Sequence, residues 1–343
     1  MGKPGIQEPR MLYRIAVAAT VLSSLAAGQS SFRPLPRAAL VARPSEAMIA
    51  LTAEPGGSEV DSLPTLRTGS GSAELPDVSL DLFAHADLNG TFEGGGSELE
   101  TRRGGWKARI EDTDETRTIA FEGGVEGTFY QFTGGLPLGS LTTDPFNDLY
   151  RTWAGGSYST RAELGHVGAF GGFEVTLGGE DEVGSTSGLT VGGLAGMHYR
   201  ASDNLTLSAG LAGTSRLEDE ARLWPFLGFD WEMSDTWDLS ILGPDIELGL
   251  RLNQRWRGYF EAAYDLRQYR LNEGGPAQGA AFRDEAVRLG SGLEYTPNSS
   301  VRISLDAGIS MWRELSLHEM DGSSSEIEID PAPYVGFQLQ FGF

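Results

Sequence analysis

Apolar and polar residues alternate along the chain from residue 78 to its end. In VRISLDAGISM, residues 301–311, the odd-numbered positions are apolar and the even-numbered positions are polar or Gly. The final ten residues, YVGFQLQFGF, keep the same period of two. Successive side chains of a strand point to opposite faces, so each such stretch predicts a strand with one apolar face. No long segment with a helical period interrupts the pattern, and the predicted fold class is all-β.

The pattern resolves into about fourteen strands, many longer than the globular mean of roughly 5–6 residues. Their connections alternate in length. Short ones include TPNSS (296–300), NQRW (253–256) and ASDN (201–204), and long ones include ELSLHEMDGSSSEIEIDPAP (314–333), NEGGPAQGAAFR (272–283), TGGLPLGSLTTDPFNDLY (133–150) and TFEGGGSELETRRG (91–104). Outer-membrane barrels have short turns at one end and longer loops at the other. We therefore expect a closed antiparallel up-and-down transmembrane β-barrel of about 12–14 strands over residues 77–343.

The first 76 residues lack this alternation. MLYRIAVAATVLSSLAAG, which begins at Met11, has one early Arg, an apolar run and small residues near position 28. These features predict a secretory signal peptide over residues 1–28. Residues 29–76 are rich in Pro, Ser and Gly. We expect a flexible periplasmic segment there.

Composition excludes several classes of site and partner. The chain has 343 residues and no Cys, so disulfides and thiolate metal sites are impossible. Its 48 Asp and Glu against 26 Lys and Arg give a formal net charge of −22. Such a surface repels nucleic acid, and we expect no nucleic-acid partner. We also expect no cofactor and no metal site.

Charged residues recur on the polar faces of the strands. In a closed barrel these faces line the lumen. The predicted lumen-lining residues are Asp81, Asp87, Glu122, Glu126, Glu174, Glu247, Arg251, Glu261, Asp265, Arg267, Arg288, Glu294, Arg302 and Asp306. Ten carboxylates against four arginines predict a preference for cations over anions. Two states of the lumen remain open at this point: a water-filled channel, or a lumen filled by an Arg–carboxylate ladder.

Candidate catalytic chemistry is sparse. His318 lies near Ser323–Ser325 and Glu319, the residue types of an acyl hydrolase, within the predicted loop 314–333. A nucleophile needs a rigidly held base, and we interpret this stretch as a hydrated loop. His85 alternates with Asp81 and Asp87, which indicates hydrogen bonding inside the barrel. We assign no catalytic residue.

The last strand resembles the C-terminal signal of bacterial outer-membrane proteins. The matching positions are Phe337, Leu339, Phe341 and Phe343. From residue 78 onward, the chain resembles uncharacterised, porin-like outer-membrane β-barrel families of Gram-negative bacteria. This resemblance implies localisation in the cell outer membrane, with outer-membrane lipid and the barrel assembly machinery as partners.

The predicted function is passive: a channel for small solutes with a preference for cations, or a structural barrel. One alternative is a lipid-modifying enzyme of the acyl-hydrolase type on a barrel scaffold. Another is a transporter of hydrophobic solutes, with residues 29–76 as a hatch in the lumen. A soluble secreted β-sandwich or lectin-like binder is a third.

Overall fold

The computed structural model describes residues 77–92, 96–134, 138, 146, 148–160, 163–180, 187–217, 221–274, 277 and 279–343. The predicted signal peptide and the segment 29–76 lie outside the described residues. Over the described residues all regular secondary structure is β-strand. This part of the chain contains no helix long and apolar enough to cross a bilayer.

Among the described residues, the strands follow one another along the chain without other elements between them. They are β1 (Asp77–Thr91), β2 (Glu98–Thr113), β3 (Arg117–Thr133), β4 (Leu149–Thr160), β5 (Val167–Glu180), β6 (Leu189–Ser202), β7 (Leu205–Thr214), β8 (Arg222–Glu232), β9 (Trp237–Leu242), β10 (Asp245–Arg251), β11 (Trp256–Arg270), β12 (Ala281–Asn298), β13 (Val301–His318), β14 (Ser324–Ile329) and β15 (Ala332–Gly342).

The sheet closes on itself. Strands β1 to β13 pair antiparallel in sequence order, β13 pairs with β15, and β15 pairs with β1. Strands β14 and β15 share one register against β13, with Ser310 opposite Ala332 and Arg313 opposite Ile329. They therefore act as a single strand, and the ring is a closed 14-stranded up-and-down barrel. The predicted fold class is confirmed, and closure leaves no edge strand unpaired.

The two ends of the barrel differ. The connections 114–116, 203–204, 252–255 and 299–300 lie at one end, which we call the turn end. The ends of β3, β5 and β11 and the starts of β4, β6 and β12 lie at the other, which we call the loop end. At the turn end Asp114 accepts hydrogen bonds from the Thr116 amide and hydroxyl, both at 2.7 Å, and from the Arg117 amide. These bonds lower the pKa of Asp114 to about 2.

The prediction of a long loop from the sequence is wrong at two places. The stretch 314–333 is mostly strand, because β13 continues to His318 and β14 begins at Ser324, with a tight turn between them. Likewise β1 continues to Thr91 and β2 begins at Glu98, so the connection after β1 is short.

A β-bulge in β13 explains the first error. Glu285 pairs with Glu314 but Val287 pairs with Met311, so Trp312 and Arg313 together oppose one residue of β12. Trp312 has a φ of 51°, the left-handed region that bulky residues rarely adopt. The extra residue moves the inward face from even to odd positions. The alternation therefore continues past the bulge, but with shifted parity.

The outward face of the barrel is apolar around the ring. Exposed large apolar side chains occur on twelve of the ring strands, from β1 through β8 and from β11 through β13 and β15. Phe121, Phe173 and Leu305 each expose more than half of their surface. A continuous exposed apolar surface of this kind is costly in water and favourable against lipid.

Glycines on the inward face let aromatic rings lie flat against the wall. An added Cβ at Gly196 would overlap the Phe170 ring and the Ala209 carbonyl oxygen. One at Gly290 would overlap the Tyr334 hydroxyl group. These close approaches require residues without a side chain, which accounts for part of the high Gly content.

Near the loop end the barrel is pinched. Arg270 of β11 pairs in parallel with Gly179 of β5, although five strands separate β5 and β11 around the ring. The amide of Leu217, in the β7–β8 connection, donates to the Gln268 side chain at 3.2 Å. This contact divides the ring at the loop end into a nine-strand part and a part formed by β6–β10.

Candidate functional site

The structure places all fourteen predicted lumen-lining residues in buried or half-buried positions. The buried ones are Asp81, Asp87, Glu126, Glu174, Asp265, Arg267 and Glu294. The half-buried ones are Glu122, Glu247, Arg251, Glu261, Arg288, Arg302 and Asp306.

The most densely connected charges centre on Arg103 of β2. Its Nη1 lies 3.1 Å from Asp265 Oδ2 of β11. Its Nη2 lies 3.2 Å from Asp284 Oδ2 of β12 and 3.4 Å from Asp87 Oδ2 of β1. Strand β2 is not a neighbour of β11 or β12, so these side chains meet by crossing the interior.

Two more arginines complete this network. Arg267 Nε donates to Glu126 Oε1 of β3 at 2.7 Å, and its Nη1 donates to Asp265. Arg313, which the bulge turns inward, donates to Asp284 Oδ2 at 2.7 Å. We call Asp87, Arg103, Glu126, Asp265, Arg267, Asp284 and Arg313 the central ion network. Each member is at most 6% exposed.

Further pairs surround the central ion network. Lys107 lies 3.6 Å from Asp81, and Arg151 lies 3.4 Å from Glu174. His85 Nε2 lies 3.1 Å from Asp87 Oδ1, which matches the interior hydrogen bond expected for this histidine. Closer to the turn end the pairs are Arg109 with Glu111 and Glu122, Arg257 with Asp238 and Glu247, and Arg302 with Glu294.

An apolar cluster closes the loop end beyond the central ion network. Its fully or nearly fully buried members are Phe92, Leu99, Leu138, Leu149, Tyr269, Leu271, Ala277, Ala280, Phe282, Leu315, Leu317 and Ile329. We call this the apolar cap. Leu138 of the β3–β4 connection belongs to it, and Phe146 of the same connection packs against it. Tyr130 packs against the apolar cap, and its Oη donates to Asp284 at 2.8 Å, so this side chain links the cap to the central ion network.

A small cavity lies beside the network. It is lined by Phe83, His85, Arg103, Lys107, Glu126, Arg151, Trp153, Arg267 and Arg288. Its volume is about 20 Å³. A cavity of this size holds about one water molecule, so it is not a passage for solutes in this conformation.

Several central residues were missed by the sequence reasoning. They are Arg103, Lys107, Arg109, Arg151, Asp284 and Arg313. Arg103, Lys107 and Arg109 alternate along β2, so period two alone was sufficient to find them. Arg313 was hidden by the bulge at Trp312. In and directly around the central ion network, six cations face six carboxylates. The cations are Arg103, Lys107, Arg151, Arg267, Arg288 and Arg313, and the carboxylates are Asp81, Asp87, Glu126, Glu174, Asp265 and Asp284.

The interpretation of the stretch around His318 as a hydrated loop is wrong. His318 is the last residue of β13 and stands opposite Ser324 of β14, in a strand pair rather than a loop. Within the described ranges, no group of three or more His, Asp or Glu side chains is arranged to hold a metal ion.

The predicted C-terminal signal residues lie on the outward face of the closing strand. Phe337 and Phe343 are exposed, and Leu339 and Phe341 are half-buried. Strand β15 pairs over its length with β1, from Gly342 opposite Ser79 to Tyr334 opposite Asp87. Recognition of these residues by the assembly machinery stays a prediction.

Comparison with known proteins gives a match over part of the chain and no activity. A family described as "Domain of unknown function (DUF6268)" matches residues 182–342. No curated protein matches the chain.

Solved barrel structures resemble this chain only distantly. An outer membrane channel from Pseudomonas putida F1 is 8% identical, with a TM-score of 0.45 over 81% of this chain and 100% of that one. A FadL homologue from Pseudomonas aeruginosa is 10% identical, with a TM-score of 0.43 over 78% and 90% of the two chains. The KdgM porin in complex with disordered oligogalacturonate is 10% identical, with a TM-score of 0.35 over 77% and 99%. Likenesses at this level do not establish a common function.

Proposed function

We propose that the chain is an outer-membrane channel whose lumen is closed in the present conformation. One observation carries this proposal. Charged side chains of non-neighbouring strands meet inside a ring whose outer face is apolar. Ionisable groups inside a membrane-spanning protein are costly, and they commonly mark a path for ions or polar solutes. An outward apolar face supports insertion into lipid, and export is expected from the predicted signal peptide.

The closure is made of parts that are able to move without breaking the barrel. The central ion network consists of side chains only, and the strand pairing does not depend on them. Leu138 and Phe146 of the apolar cap belong to the β3–β4 connection and not to the ring. Moving the side chains of Leu138 and Phe146 and rotating the arginines of the central ion network would widen the lumen while every strand pair stays intact.

Planar bilayer recording tests this proposal. The full chain, folded in detergent, is compared with a Leu138→Ser/Phe146→Ser double variant, which weakens the cap. We expect brief, rare openings of the unmodified protein and at least about a tenfold higher open fraction in the variant, equivalent to about 1.4 kcal/mol. Phe173→Ser, on the outward face of β5, is the matched control and leaves the open fraction unchanged.

Absence of conductance from both the unmodified protein and the cap variant, each folded and inserted, would contradict the channel. A structural barrel, the second function expected from the sequence, would then remain. A central ion network that stays closed under all of these conditions would be consistent with a structural barrel.

A further inference from the structure

The small cavity beside the central ion network has an unusual wall for a chain of net charge −22. Five of its lining residues are basic, and only one is a carboxylate, Glu126. The basic residues are Arg103, Lys107, Arg151, Arg267 and Arg288. Two aromatic side chains, Phe83 and Trp153, complete most of the remaining wall.

Three of the carboxylates that pair with these cations do not line the cavity. Asp81 contacts Lys107, Glu174 contacts Arg151, and Asp265 contacts Arg103, yet none of the three carboxylates lines the cavity. The lining of the cavity is therefore mainly positively charged, and these three counter-charges lie outside the lining. At short range and away from bulk water, this arrangement makes the cavity attractive to an anion.

Two buried N–H groups of the lining residues lack a hydrogen-bond acceptor among the described residues. They are Trp153 Nε1 and Arg103 Nε. Trp153 is 4% exposed, and the Arg151 guanidinium lies 5.0 Å from the centre of its ring. Buried N–H groups in folded proteins nearly always have an acceptor, so these two donors indicate a bound species that accepts hydrogen bonds.

We propose that this cavity is a binding site for a small monovalent anion of halide size. The anion accepts hydrogen bonds from Trp153 Nε1 and Arg103 Nε and is attracted by the basic side chains that line the cavity. A volume of about 20 Å³ admits about one water-sized species, which favours a halide over a larger oxyanion. The charge of the proposed ligand is opposite to that of the solutes for which the carboxylate count of the sequence predicts a preference. It goes beyond the proposed channel, since binding at equilibrium requires no conduction.

Bromide is the probe for the test. Crystals of the full chain grown in detergent are soaked in sodium bromide, and anomalous scattering locates the ion. In parallel, the unfolding temperature is measured as chloride or bromide replaces gluconate at constant ionic strength. We expect one anomalous peak in the cavity and a saturable rise in the unfolding temperature.

Trp153→Phe keeps the ring and removes the N–H donor, and we expect it to weaken the apparent halide affinity at least fivefold. Trp106→Phe, on the exposed outward face of β2, is the matched control with unchanged affinity. Arg151→Met is a second variant with the same expected direction. An ordered water with no anomalous signal in the cavity would overturn the proposal. So would a folded Trp153→Phe protein that binds halide as tightly as the unmodified chain.

Discussion

Two parts of the barrel close their interiors by different physical means. In the part formed by β11–β15 and β1–β5, the interior holds the central ion network and the apolar cap. The neighbouring part, formed by β6–β10, holds a small apolar cluster of Leu194, Ala212, Phe226 and Leu242, which is completed by Phe170 of β5. There the rings rest on glycines of adjacent strands.

The first part is closed by contacts between strands that are far apart in the ring, and the second by contacts between neighbouring strands. An ion pair between Arg103 and Asp265 ties together strands that lie on opposite sides of the ring. The contact of the Phe170 ring with Gly196 involves only two neighbouring strands, β5 and β6. Removing one long-range partner therefore leaves several charges unmatched, whereas disturbing a local contact affects one strand pair. Three substitutions test this contrast.

The largest effect is expected for Arg103→Met. The change leaves Asp87, Asp265 and Asp284 buried with fewer counter-charges, and removing one partner of a buried ion pair costs about 3–5 kcal/mol. Urea unfolding in detergent micelles measures the loss of unfolding free energy. Arg102→Met, at an outward position of the same strand with its side chain 66% exposed, is the control and changes stability by about 0.5 kcal/mol or less. Equal losses in the two variants would remove the argument for long-range closure.

A smaller effect is expected for Gly196→Ala in the other part. The added Cβ overlaps the Phe170 ring and the Ala209 carbonyl oxygen, and overpacking of this kind costs about 1–3 kcal/mol. Gly193→Ala on the same strand is the control, because its Cβ meets only the Gly172 oxygen at 3.4 Å. The same urea titration applies. A Gly196→Ala protein as stable as the control would show that the ring does not depend on this glycine.

The smallest effect concerns the bulge that turns Arg313 inward. Glycine adopts the left-handed conformation of Trp312 without the cost of about 1–2 kcal/mol that other residues bear. Trp312→Gly should therefore be more stable than Trp312→Ala by about 1 kcal/mol. At Trp106, in regular strand, the order should reverse, with Ala better by about 0.5–1 kcal/mol. Finding Ala better at both positions would contradict the strained backbone.

The alternation of residues was sufficient to predict the ring but not its contents. Every strand of the barrel carries the period-two signal, and the apolar final strand required a covered or lipid-facing surface. The sequence predicted only part of the central ion network. Asp87, Glu126, Asp265 and Arg267 were found on the polar faces, whereas Arg313 was concealed by the parity change at the bulge.

The pairing of charges was beyond the reach of the sequence. Which cation meets which carboxylate depends on strand tilt and on the distance across the lumen, neither of which the alternation encodes. The contact of β5 with β11 was also invisible, since it joins strands that are far apart in order. The apolar cap draws on residues of the β3–β4 connection, where no periodic pattern exists to read.

The burial of Lys107 has a practical consequence for anyone handling this protein. It is the only lysine between residues 77 and 343, and it is 2% exposed beside Asp81. The outside of the barrel is thus free of primary amines. An amine-reactive dye added from water will label the barrel only in molecules whose interior has become accessible. The rate of labelling at Lys107 therefore measures how often the interior opens.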